Sequence, residues 1–134
     1  MLEEVVKKKF KMDLELYPNN GSPIIEGYGN GYVNISGNKF IKTFILFPDT
    51  LEELNNNSIK EIAKVINSYK NNLDLIIFGS PAKLSNNKEY IDLKLAITIP
   101  IEFMHTYSAC RTWSVLIAEG RNVGAIIEPT KIDN

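Results

Sequence analysis

The chain holds one histidine and one cysteine, and His105 and Cys110 stand close enough in sequence to suggest a Cys/His nucleophile. Such a pair needs the imidazole within hydrogen-bond reach of the sulfur, where it can take the thiol proton. The separation from His105 to Cys110 turns the side-chain direction by about 500° along a helix. The two groups then point apart unless His105 lies outside the helix and folds back. An early helical position beside Arg111 would lower the thiol pKa. A place on the apolar stripe with Trp113 and Ile117 would make Cys110 a small core hydrophobe instead, and this is the stronger reading. One cysteine excludes an internal disulfide, and with one histidine it excludes a Cys/His zinc cluster within one chain.

A second candidate is positional. Parallel α/β sheets bind ligands outside the carboxyl ends of their strands, where helix N-termini present free N–H groups. Here those ends are Gly79-Ser80-Pro81 and His105-Thr106-Tyr107-Ser108, expected on neighbouring strands, and Arg111 adds positive charge. Gly79, Ser80, His105, Thr106 and Arg111 are therefore the candidate pocket for a small anion or nucleotide. The favoured alternative gives Thr106 or Ser108 to helix capping and pairs Arg111 with a carboxylate. Gly27-x-Gly29-x-Gly31 has the look of a phosphate loop, but a dinucleotide fingerprint needs a strand before it and a helix after it. With strand candidates on both sides, these read as turn glycines. Glu119 and Arg121 read as a helix-end salt bridge. The sequence carries no carboxylate cluster, metal motif or Walker loop, so no catalytic residue, metal or cofactor is expected.

The elements that must position these residues are legible in outline. Residues 1–23 form a loosely patterned lead-in, with an extended piece at Met12–Leu16 and a turn-rich close. Ile24–Tyr28 and Tyr32–Ile35 are short strands, and the Asn30-Gly31 pair between them predicts a type I′ hairpin, whose two central residues need positive φ. Ser36-Gly37-Asn38 makes another turn, Lys39–Phe47 runs on as a longer strand, and Pro48 ends it. Ser58-Ile59-Lys60-Glu61 fits a capping box, followed by Ile59, Ile62, Ala63, Ile66 and Tyr69 at helical spacing. Leu73–Phe78 reads as a strand covered on both faces, Asn86–Leu95 as a short helix and Ile99–Met104 as a buried strand. A helix over 106–120 and a strand over 122–128 complete the chain. Strand–helix–strand–helix–strand order implies right-handed crossovers and parallel pairing. The expected fold is a three-layer α/β domain over 24–129, with a tail at 130–134. It has a mixed, largely parallel central sheet of about five strands, helices packed on it and an N-terminal antiparallel meander.

Bulk composition narrows the partner classes. A chain of 134 residues with 44% hydrophobic and 23% charged residues has globular composition. A formal net charge of −1 supplies no global field towards nucleic acid or anionic lipid. Lys7-Lys8-Lys9 is the one basic cluster, and Glu3 and Glu4 precede it, which fits a solvated face. No apolar run approaches the ~18 residues that span a bilayer. The start of the chain lacks both the apolar stretch of a signal peptide and the arginine-rich character of a presequence. A reducing compartment follows from the lone cysteine.

The last helix carries a more specific pattern. Thr106-x-x-Ala109-Cys110-Arg111-Thr112-Trp113-Ser114-x-Leu116-x-x-Glu119-Gly120-Arg121-x-Val123 resembles the signature of a family of small α/β domains. That family includes the mitochondrial respiratory complex I assembly factor 3 and an adipogenesis-associated Mth938-domain protein. Gly27-Tyr28-Gly29-Asn30-Gly31-Tyr32 with Ile35 and Gly37, and Leu75-Ile76-Ile77-Phe78-Gly79, match two further segments, so the resemblance spans about Ile24 to Pro129. The sequence departs from the pattern at Trp113-Ser114, where the family has Tyr-Asn. It departs again at His105, where an acidic residue is usual, and at Ser80-Pro81, where Thr-Gly is usual. The signature residues are Thr106, Ala109, Cys110, Arg111, Thr112, Glu119, Gly120 and Arg121.

The resemblance implies a three-layer fold and no established catalytic residue. It further implies a non-enzymatic protein-binding or assembly factor for the respiratory NADH dehydrogenase (complex I), cytoplasmic in a bacterium and mitochondrial in eukaryotic relatives. Expected partners are proteins, such as respiratory-complex subunits or assembly proteins, and not nucleic acid. A partner surface needs an exposed apolar or aromatic patch, to which Tyr28, Tyr32, Phe47 and Tyr107 are the candidate contributors. An open strand edge in the antiparallel layer offers a route to a homodimer. The alternative function is a small-molecule or anion-binding protein, or an enzyme, using the pocket near Gly79 and His105.

Overall fold

The structure is a computed structural model that describes residues 21–56, 58–81 and 88–130. The extended piece expected at Met12–Leu16 and the basic cluster at Lys7-Lys8-Lys9 lie outside those residues. The described chain opens with an antiparallel meander of β1 (Ile25–Gly29), β2 (Tyr32–Ile35) and β3 (Asn38–Phe40). Its two turns differ from expectation. At Asn30-Gly31 only the glycine has positive φ, whereas Ser36 (φ 50°) and Gly37 (φ 86°) both do. The type I′ turn therefore sits between the paired residues Ile35 and Asn38. The chain twist there demands two left-handed residues, and a serine supplies one of them.

The longer strand expected over Lys39–Phe47 is two strands in two sheets. β3 closes the meander, and Ile41-Lys42-Thr43 carries the chain across to β4 (Phe44–Leu46) in the central sheet. β4 turns into β5 (Leu51–Glu53), an edge strand that the sequence pattern does not announce; one of its residues is half-buried and the other two are exposed. A strand so short and polar has no hydrophobic alternation to betray it.

Helix α1 (Ile59–Asn67) begins where the capping box indicates: the Ser58 hydroxyl accepts the Glu61 N–H at 3.1 Å. The reciprocal half is taken by Asn56, whose side-chain oxygen accepts the Ser58 N–H at 2.9 Å. Then follow β6 (Leu75–Gly79), α2 (Lys88–Ala96), β7 (Ile101–Met104), α3 (Thr106–Ala118) and β8 (Val123–Ile127). The five-stranded sheet has the order β5-β4-β8-β6-β7, with β8-β6-β7 parallel and β4 antiparallel to both β5 and β8. This is the expected mixed sheet with its meander.

The chain steps from β6 out to β7 and then back across β6 to β8. Two right-handed crossovers in opposite directions put their helices on opposite faces. The side-chain alternation of the strands feeds both layers. Ile45, Ile76, Phe78 and Ile126 pack with Ile62 and Ile66 of α1 and Leu93 of α2. Phe44, Leu46, Ile77, Ala125 and Ile127 pack on the other face with Ala109, Cys110 and Trp113 of α3 and with Val33 and Ile35 of the meander. Val123–Ile127 is buried throughout.

Candidate functional site

The carboxyl ends of β6, β7 and β8 meet at one place, since Gly79 stands opposite Met104 on one side and Ile127 on the other. The backbone ladder runs one step further, with Ser80 N–H to Met104 O at 3.1 Å and Glu128 N–H to Gly79 O at 2.9 Å. Glu128 lies at the centre of the polar contacts there. Its carboxylate accepts the Ser80 hydroxyl at 2.6 Å and the Tyr90 hydroxyl at 3.1 Å, and its carbonyl accepts the Thr106 hydroxyl at 2.7 Å. The sequence marks Glu128 only as the end of a strand. The signal that could have singled it out is a lone acid directly after an unbroken small and apolar run.

These contacts occupy much of the candidate pocket with structural work. Gly79 leaves no room for a side chain, because a Cβ would lie 2.5 Å from Ala109 Cβ and 3.2 Å from Thr106 Cα. Helix α3 sits directly on the strand end there. Thr106 and Ser80 are buried, with their hydroxyls on Glu128. Gly79, Ser80 and Thr106 thus come together around Glu128 and hold the start of α3 to the end of β8. Chemically the cluster is a carboxylate steadied by two hydroxyl donors.

His105 and Arg111 are exposed and face elsewhere. His105 is the N-cap of α3, its Nδ1 accepting the Tyr107 N–H at 3.2 Å. That role, expected of Thr106 or Ser108, puts the proton of a neutral ring on Nε2. Tyr107 reaches the meander, where its ring stacks on Tyr28 at a centroid distance of 4.5 Å and 16° between planes. Arg111 follows it: Nη1 donates to the Tyr28 hydroxyl at 3.0 Å and Nη2 to Ser108 Oγ at 3.3 Å. Two motif segments that lie 83 residues apart are joined by the Arg111–Tyr28 bond. Of the four expected patch residues, Tyr28 and Tyr107 form this shelf. Tyr32 lies under the Lys39 ammonium at 4.7 Å, and Phe47 is core, stacked on Tyr69.

Cys110 is buried at 1% exposure in the layer beneath α3. Burial pushes its thiol up to about 12, the charge of Arg111 only partly opposing this. The imidazole is engaged with the Tyr107 amide, so the geometry serves a core cysteine and a helix cap. Glu119, Gly120 and Arg121 close α3 by a Schellman motif: Arg121 N–H reaches Leu116 O at 3.0 Å and Gly120 N–H reaches Ile117 O at 2.9 Å, with Gly120 at φ 79°. Gly120 is thus a backbone device.

Two clefts are among those lined by described residues. One of about 100 Å³ lies between Ser22–Ile25 and the Trp113–Ala118 side of α3. The other, of about 260 Å³, is lined by Phe47, Asp49, Thr50, Glu52 and residues from Val65 to Asn71. Among the described residues no group of His, Cys, Asp and Glu could hold a metal ion. Nor is any helix among them long and apolar enough to cross a membrane.

The chain is 27% identical over 110 residues to an uncharacterised protein of the bacterium Rhodobacter capsulatus, covering 81% of this chain and 86% of that one. Its fold is similar to that of a protein from Bordetella parapertussis, with TM-score 0.66, 20% identity, and 81% of this chain and 97% of the other covered. It is similar also to a Bordetella pertussis protein described as a Mth938-like domain, with TM-score 0.59, 17% identity, and 92% and 93% covered. A family profile described as a protein of unknown function (DUF498/DUF598) matches residues 25–128, a stretch that runs from the first strand of the meander to the Glu128 cluster, and the chain belongs to that family.

Proposed function

We propose that the chain is a non-enzymatic protein-binding module that helps assemble the respiratory NADH dehydrogenase, and that it binds through the surface of Tyr28, Tyr107, Arg111 and His105. The observation that supports this reading is the Tyr28–Tyr107 stack capped by an exposed Arg111. Tyrosine and arginine are the side chains that most often carry binding energy at protein interfaces, because each offers large contact area together with hydrogen bonds. A ring pair already stacked in the free protein loses little entropy on docking. The link to the respiratory enzyme comes from the family resemblance alone.

A second reading rests on Glu128, whose carboxylate sits beside the β6–β7 carboxyl ends. The loops after those two adjacent strands lead to helices on opposite faces, which is where open α/β sheets bind small molecules. One experiment separates the two. The tagged protein, wild type and Tyr28→Ala/Tyr107→Ala, is purified from its native cell at mild ionic strength and read by mass spectrometry under both denaturing and native conditions. The expected result is enrichment of respiratory-complex subunits or their assembly proteins, reduced at least about tenfold in the double variant. A protein without partners that retains a small molecule would replace the first reading with the second.

A further inference from the structure

We infer that the segment docking on the Tyr28/Tyr107/Arg111 surface is an acidic stretch of polypeptide, one that presents Asp or Glu carboxylates beside an apolar contact for the tyrosine shelf. The inference rests on the protein-binding reading and names the partner's chemistry. Arg111 is exposed, and the hydrogen bonds of its guanidinium go to two neutral hydroxyls, those of Tyr28 and Ser108. A guanidinium has five N–H donors and a fork suited to bidentate carboxylate. Held by the two hydroxyls, it is oriented without being neutralised. The protein has 16 Asp and Glu residues, yet none falls within Gly27–Ile35 or His105–Ala118, the two stretches that build the surface. The first turn of α3 carries no acid to offset the positive end of the helix. His105 presents Nε2–H, a further donor, its ring 5.0 Å from that of Tyr107. The Arg111 charge and the His105 donor therefore flank an aromatic shelf, in a protein whose net charge is −1. Carboxylate fits this better than a basic or neutral segment, since a lysine there would face Arg111 at a repulsive distance.

The test is selection of a displayed library of random peptides of about 16 residues against the full chain, with Trp113 fluorescence confirming that each variant is folded. Selected peptides are expected to be enriched in Asp and Glu and depleted in Lys and Arg. Their binding should weaken about tenfold in Arg111→Gln and several-fold between about 50 and about 300 mM KCl. Arg111→Glu should select basic peptides in their place. Peptides without acidic bias that still require Tyr107 would overturn the inference while leaving the protein-binding reading intact. Selection of no peptide at all would count against both. Inorganic phosphate that binds Arg111 alone and fully displaces the peptides would overturn the inference in favour of a phosphate site.

Discussion

Cys110 and Arg111 are neighbours with opposite fates. α3 turns one side chain into the core and the next onto the surface, so the charge of Arg111 reaches the thiol too weakly to offset its desolvation. This has a measurable consequence. An unfolded thiol titrates near 8.5–9, while the folded one keeps its proton up to about 12. Between those values the folded state binds more protons than the unfolded state, so stability falls as pH rises; below them the contribution is fully present. The decline amounts to at most about 1.4 kcal/mol for each pH unit. Cys110→Ala removes it, so the stability difference between wild type and variant should shift against the wild type from about pH 9 upward. Urea unfolding at a series of pH values measures this. Tyr69, raised to about 12 by burial and by its bond to Asp49, titrates in both proteins and cancels. A constant difference across the alkaline range would show that Cys110 is not buried as described.

Among the elements, α3 does most to bring the signature together. It starts at a strand end, and its first two turns lie so close to β6 that only glycine fits at position 79. Gly79→Ala would force the added methyl against Ala109, and overpacking of this kind costs about 1–3 kcal/mol. Thr106 Cα is backbone and yields less readily, which places the expected loss at the upper end. Ala109→Gly in the same chain should return part of it. Chemical denaturation of the two single variants and the double measures the coupling, and strictly additive effects would rule the contact out. Further along, the helix is closed by its backbone at Gly120. Gly120 is thereby accounted for, and the closure draws on no side chain of Glu119 or Arg121.

For the whole molecule, the central sheet is a shared wall. Adjacent residues of β4, β6 and β8 serve opposite layers, and the meander supplies Val33 and Ile35 to the same layer as Trp113 and Phe44. The meander is therefore part of the core, although its strands belong to a separate sheet. Ile35 is 1% exposed, and truncation of a buried isoleucine costs about 2–5 kcal/mol. Ile35→Ala should lower the stability of the entire fold by that amount. Trp113, the sole tryptophan, reports on the layer beneath it, and far-UV circular dichroism reports on all the elements. The two unfolding curves should shift together. A wild-type tryptophan midpoint paired with a shifted dichroism midpoint would mean that the meander melts on its own.

Much of this was written in local sequence. Ser58 marked the start of α1, the strand–helix alternation called for parallel pairing, and the Thr106–Val123 pattern pointed to the family. Those features depend on neighbours within a few residues, where capping bonds and side-chain periodicity act directly. What only the tertiary structure decided depends on contacts between distant segments. The run from Lys39 to Phe47 is extended in either case, and its transfer between two sheets follows from which partners lie on each side. The positions of Gly79, Ser80 and Thr106 in the chain suggest a pocket, but the approach of α3 and the contacts of Glu128 make them part of its fastening. Tyr28 and Arg111 carry no mark in sequence that they will touch. Their hydrogen bond exists because α3 and the meander cover the same face of one sheet, and no local pattern encodes that.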